Sequence, residues 1–153
     1  MTVCGTPPYG KVPMSVQMVL LPVFVQVGLT FALLLGMVFR RRNALVSGQT
    51  KIRDIALGEP NWPKGATQIA NCYRNQFELP VLFYVLCLTL HVTNGVNYLT
   101  LALMWIFVAS RYVHAWVHLT SNNLLLRNRS FVFGAVIILL GWIWVALHLL
   151  GVV

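Results

Sequence analysis

Apolar residues run almost unbroken through four stretches, Met14–Phe39, Ala66–His91, Tyr98–Thr120 and Phe131–Val153, with polar residues gathered between them. Each reaches the roughly 20 residues that a hydrocarbon core demands. None shows the two-residue alternation of a barrel strand, and backbone polar groups in lipid must be satisfied within the segment, so each is read as an α-helix. The pattern predicts one all-α domain over residues 1–153, an integral membrane four-helix bundle with loops at 40–65 and 121–130. The longer loop holds Gly58, Pro60, Pro63 and Gly65 as helix breakers, leaves room for a short helical piece around Ile52–Leu57, and is too small for a soluble domain. The 92–97 turn contains Asn94-Gly95 and predicts an antiparallel hairpin of the second and third spans.

Composition agrees: 58% of the 153 residues are hydrophobic and only 9% charged. The net charge of +8 would suit a nucleic-acid binder, but its distribution follows the spans. Arg40, Arg41, Arg42, Lys51, Arg53 and Lys64 lie between the first two spans, Arg127 and Arg129 between the last two, and Lys11 alone on the other side. By the positive-inside rule both basic loops face the cytoplasm, and the termini and the 92–97 turn lie outside. The surplus encodes topology, with no nucleic-acid partner implied. The first span has too long an apolar run, too little charge before it and three arginines after it for a cleaved signal, so it is expected to persist. Cys4, Cys72 and Cys87 lack metal-type spacing, and Cys72 and Cys87 stand about 22 Å apart along one helix, too far to bridge.

Small residues mark helix contacts in lipid: Gly28, Ala32 and Gly36 recur every four residues in the first span, and Gly134 with Gly141 form a weaker face in the fourth. Polar stripes interrupt the second and third spans. Asn71, Arg74, Asn75 and Glu78 fall at i, i+3, i+4 and i+7, and Arg111, His114 and His118 at i, i+3 and i+7. Arg74 lies about 12 Å and Glu78 about 18 Å from the cytoplasmic start of their span, and Arg111 about 13 Å from the cytoplasmic end of its own, so the stripes meet in one half of the bilayer. An intramembrane carboxylate needs a partner, and Arg74 and Arg111 are at hand, which predicts a charged pocket open to the cytoplasm. The bland alternative is a polar lock between helices. The excess of cations favours an anionic ligand, and the same arginines would repel a metal from His114, His118 and Glu78, so no metal site is expected. Pro80 predicts a bend just past Glu78.

The motif Arg74-Asn75-x-x-Glu78-x-Pro80, followed by Arg111-x-x-His114-x-x-x-His118 and by Arg129-Ser130, resembles the MAPEG family, the membrane-associated proteins of eicosanoid and glutathione metabolism, and most of all its uncharacterised bacterial branch. The resemblance covers nearly the whole chain. It implies a homotrimer of four-helix bundles, in a bacterial inner membrane, with glutathione bound between subunits toward the cytoplasm. It further implies transferase or peroxidase chemistry on small lipophilic electrophiles, or a non-catalytic lipid-binding or accessory role on the same fold. Glutathione offers two carboxylates, an ammonium and a thiol that must ionise, which suits arginines around one carboxylate. By resemblance Arg74, Asn75, Glu78, Arg111, His114 and His118 would hold the tripeptide and one of Arg40–Arg42, taken as Arg41, would complete the site. Arg129 with Ser130 would stabilise the thiolate, with Arg127 as a rival. The chain departs from several catalytic members by carrying Asn71 in place of an arginine and His118 in place of a tyrosine.

Overall fold

The computed structural model describes residues 15–58 and 61–152, so the readings that involve Cys4, Lys11, Met14, Pro60 and Val153 fall outside the described residues. Its helices are α1 (Val16–Val46), α2 (Lys64–Arg74), α3 (Leu79–Val92), α4 (Tyr98–Leu119) and α5 (Leu124–Leu149). α2 and α3 are two halves of one 29-residue span, and with it the described residues contain four helices long and apolar enough to cross a membrane.

Local chemistry explains where helices start and stop. α1 runs through Arg40–Arg42 to Val46, past the expected start of the loop at residue 40, since no Gly or Pro stands between Phe39 and Gly48, which sits at φ 73°. α5 begins at Leu124, before the apolar run proper, because the Asn123 side chain accepts from the backbone N–H groups of Leu125 and Leu126 at 3.0 and 3.2 Å. Arg127, Arg129 and Ser130 therefore ride on the first turns of a helix instead of a loop. In the α3–α4 hairpin, Asn94 takes the left-handed conformation at φ 55°. Asn97 and Thr100 then cap α4 reciprocally, each side chain accepting from the other's backbone N–H at 2.9 Å.

The second span breaks where Pro80 cannot donate to the carbonyl four residues earlier. Residues Asn75–Phe77 tighten into a 3₁₀ turn, Glu78 leaves helical space at φ −100°, ψ −104°, and α3 restarts with proline in its first turn. The break precedes the expected bend by a few residues and changes the packing partners: α2 packs on α1 and α4, whereas α3 packs on α5 and α1. Two apolar cores result. The larger gathers Phe83, Leu86, Leu90, Met104, Phe107 and Ile138, with Phe83 and Phe107 stacked at 4.7 Å. The smaller, toward the basic loops, holds Leu29, Leu33, Ile69, Cys72 and Ala115.

Of the predicted small-residue faces, Gly36 meets α2, where a methyl would fall 2.7 Å from Ile69 Cδ1, and Gly141 meets α3, where one would fall 2.5 Å from Leu86 Cδ2. Gly28 and Ala32 face outward, and Gly28 has open space beside it.

Candidate functional site

Because the second span changes partners at residues 75–78, α2 and α5 are left apart at the end near the basic loops. A cleft of about 200 Å³ opens there, lined by Asn75 and Glu78 from the break, His114 from α4, and Leu124, Arg127, Asn128 and Phe131 from α5. The α5 residues fall at i, i+3, i+4 and i+7, one helical face, so the Asn123 cap that starts the helix early also decides which side chains reach the cleft.

At its floor lies the buried imidazole of His114. The Asn75 amide nitrogen faces its Nε2 at 3.1 Å, and its Nδ1 faces the Arg127 carbonyl at 3.1 Å and Ser130 Oγ at 3.3 Å. The amide donates to Nε2, which leaves the ring proton on Nδ1, shared between that carbonyl and the Ser130 oxygen. The Ser130 hydroxyl in turn donates to the Arg127 carbonyl at 2.9 Å. Every proton in this network has one consistent place, and it ties α2, α4 and α5 together. Arg127 is held from its other end: Nη1 donates to Asn122 Oδ1 at 2.9 Å and to the buried His118 Nε2 at 3.2 Å. Gln68 of α2 donates to the His118 carbonyl.

The residues predicted from sequence separate into groups. Asn75, Glu78 and His114 share the cleft, with Ser130 and His118 behind its wall. Arg74 is exposed on the outer side of α2, and Arg129 is exposed and does not line the cleft; Arg127 does. Arg41 stacks over Trp62 at 4.8 Å, and Arg40 donates to the Gly65 carbonyl at 3.0 Å, so both pin the first loop to α1. Arg111 stands apart from the expected open pocket: it is 0% exposed, and none of its three guanidinium nitrogens finds a partner among the described residues. Glu78 is exposed, and the expected pairing with Arg74 or Arg111 does not form, since among the described residues the ion pair is Arg53–Asp54 at 3.5 Å. At the break Glu78 leaves helical space and lines the cleft with Asn75, while Arg74 stays exposed on α2 and Arg111 stays buried in α4.

Sequence reasoning passed over four residues. Asn128 and Phe131 line the cleft, and Gln26 and Gln76 meet in the core, where Gln26 Nε2 donates to Gln76 Oε1 at 2.9 Å and Gln76 Nε2 to the Cys72 carbonyl at 3.2 Å. Gln26 is an amide deep inside an apolar run, and that was its signal.

Four helices able to cross a membrane, with a polar cleft at one end, define a polytopic helical membrane protein. The chain belongs to the MAPEG family, whose model matches residues 19–147. No curated protein and no solved structure matches it.

Proposed function

We propose that the protein is a membrane-bound, glutathione-dependent transferase or peroxidase acting on small lipophilic electrophiles, assembled as a homotrimer. One observation carries this reading: a single cleft collects a free carboxylate, a fixed guanidinium, amides and an apolar wall. Family membership adds the relation to glutathione metabolism. The donor set fits a tripeptide thiol. Glu78 is free to take the ammonium, and Asn128 offers an amide in the same wall. Arg127, held by Asn122 and His118, is oriented to stabilise a thiolate; this role passes to it from Arg129. Leu124 and Phe131 give a lipophilic electrophile an apolar approach. Arg74 and Arg129, exposed on the flank, are available for a ligand carboxylate or for a neighbouring subunit. In this reading the basic loops are cytoplasmic, both termini lie outside, and the membrane is a bacterial inner membrane.

The test is calorimetric titration of glutathione into lipid-reconstituted protein, together with turnover of an activated aryl halide. Glu78→Gln should weaken glutathione several-fold more than it weakens a des-amino analogue. Arg127→Gln should cost on the order of a hundredfold in turnover and Arg129→Gln far less. Absence of glutathione binding by the intact protein would overturn the reading.

A further inference from the structure

We propose that residues 46–58, where α1 ends and the first loop begins, form a docking surface for anionic phospholipid: Lys51 and Arg53 take the headgroup phosphate in a groove beside the end of α1, while Val46, Ile52 and Leu57 meet the acyl boundary. The surface lies outside the cleft and uses none of its residues, so it does not depend on the function proposed above.

Gly48, in the left-handed conformation, lets the chain reverse, and the N–H groups of Ser47, Gly48 and Thr50 return to the carbonyls of Asn43, Leu45 and Ala44 at 2.9, 3.1 and 3.2 Å. Residue 50 is thereby drawn back to the level of Ala44, which lies about 8 Å along α1 from Phe39, the end of the apolar run, at 1.5 Å per residue. The headgroup layer on each side of the hydrocarbon is about 5–8 Å deep, so the segment is held at that layer. Its shape is fixed: Thr50 is buried, with Oγ1 donating to the Asn61 carbonyl at 3.2 Å, and Asn61 Nδ2 donates to the Asp54 carbonyl at 2.7 Å. On that frame three aliphatic side chains beyond the apolar run stand uncovered, Val46 at 80%, Ile52 at 74% and Leu57 at 92% exposure. A groove of about 600 Å³ joins apolar surface to charge, with Leu45 and Ile52 lining it together with Thr50, Lys51 and Arg53. Cations flanking an exposed aliphatic residue on one short turn match a surface that is anionic outside and apolar beneath. Charge selects an anionic leaflet over a neutral one, since residues 40–65 hold six cations against Asp54 and Glu59. Arg40 and Arg41 are engaged by the Gly65 carbonyl and Trp62, whereas Lys51 and Arg53 are exposed. The contact of Arg53 Nε with Asp54 at 3.5 Å lies in solvent, where such a pair holds weakly. An acidic protein would compete for such a surface in water, but the return of the chain along α1 keeps this one at the bilayer.

The experiment uses the full-length protein carrying Cys4→Ser and Ala56→Cys, labelled with an NBD fluorophore at exposed residue 56 and reconstituted in nanodiscs of phosphatidylcholine alone or mixed with phosphatidylglycerol. Cys72 and Cys87, 0% and 1% exposed, must stay unlabelled, which reports on folding. A lipid with a doxyl group high on its acyl chain should quench the probe about threefold more strongly in the phosphatidylglycerol discs, and water-soluble iodide correspondingly less. Lys51→Gln combined with Arg53→Gln should abolish that difference, whereas Lys64→Gln, which removes a cation outside the groove, should leave it. Equal quenching in the two kinds of disc would overturn the proposal, and equal losses from Lys64→Gln and from the double variant would overturn the groove by showing diffuse charge alone. Protection from both quenchers would show that a second copy of the chain or another protein covers the surface, and would overturn the lipid assignment. So would loss of the difference on adding inorganic phosphate at constant ionic strength, which would show that the groove takes the free ion.

Discussion

Replacing Gln76 by leucine should destabilise the bundle more than replacing both Gln76 and its partner Gln26. Gln26 lies about 15 Å from the start of α1 at 1.5 Å per residue, near the middle of a hydrocarbon core of about 30 Å, where no water can take over a lost hydrogen bond. Gln26 Oε1 is already without a partner, so Gln76→Leu strands the whole Gln26 amide and should cost about 1–3 kcal/mol. Gln26→Leu strands only Gln76 Oε1, because Gln76 Nε2 still donates to the Cys72 carbonyl, and should cost about 1 kcal/mol. The double replacement leaves no orphaned amide, and with leucines of similar volume it should cost less than about 1 kcal/mol. The coupling between the sites, the summed single losses of about 2–4 kcal/mol less the loss of the double mutant, should be at least about 1 kcal/mol. Reversible unfolding in mixed micelles, followed by tryptophan fluorescence, measures all three. A double mutant that loses the sum of the single losses would refute the reasoning, since it would show that the two amides act independently.

Two further outcomes bear on orientation and assembly. A cysteine at Gln49, exposed between α1 and α2, should resist an impermeant maleimide in intact cells while one at Asn94, exposed in the hairpin turn, should react; the reverse would invert the topology and move the cleft to the other side. Native mass spectrometry from mild detergent should show a trimer, and a persistent monomer would remove the neighbour that exposed Arg74 and Arg129 are proposed to meet.

The spans were legible because a continuous apolar run has one reading in lipid, and the Asn94-Gly95 turn was legible because its chemistry is local. That Asn75 and Glu78 fall on one side could be read from their spacing, and that His114 of the third span meets them could be read by counting depth along the two spans. What spacing could not supply was rotation. Arg127 reaches the cleft and Arg129 does not because Asn123 caps α5 so that it starts at Leu124, a cap visible in the sequence but masked by the longer apolar run that follows. Arg111 was expected at an open pocket on the strength of its neighbours; its burial depends on how α4 is turned against α5, which only tertiary packing decides. Pro80 announced a bend, yet the 3₁₀ turn it imposes reaches back to Asn75 and reorients Glu78, an effect of lost backbone bonds upstream of the proline.

The reach of α1 sets how the protein sits among lipids. From Val16 to Phe39 it presents an apolar rod about 36 Å long, more than the roughly 30 Å of an average hydrocarbon layer, before its three successive arginines. The excess has to be absorbed by leaning the helix or by stretching the surrounding acyl chains. Arg40–Arg42 mark the end of that apolar stretch, and the last turn of α1 runs on beyond it. A thicker bilayer relieves this mismatch and a thinner one worsens it, so lipid chain length becomes a quantity to which the bundle responds.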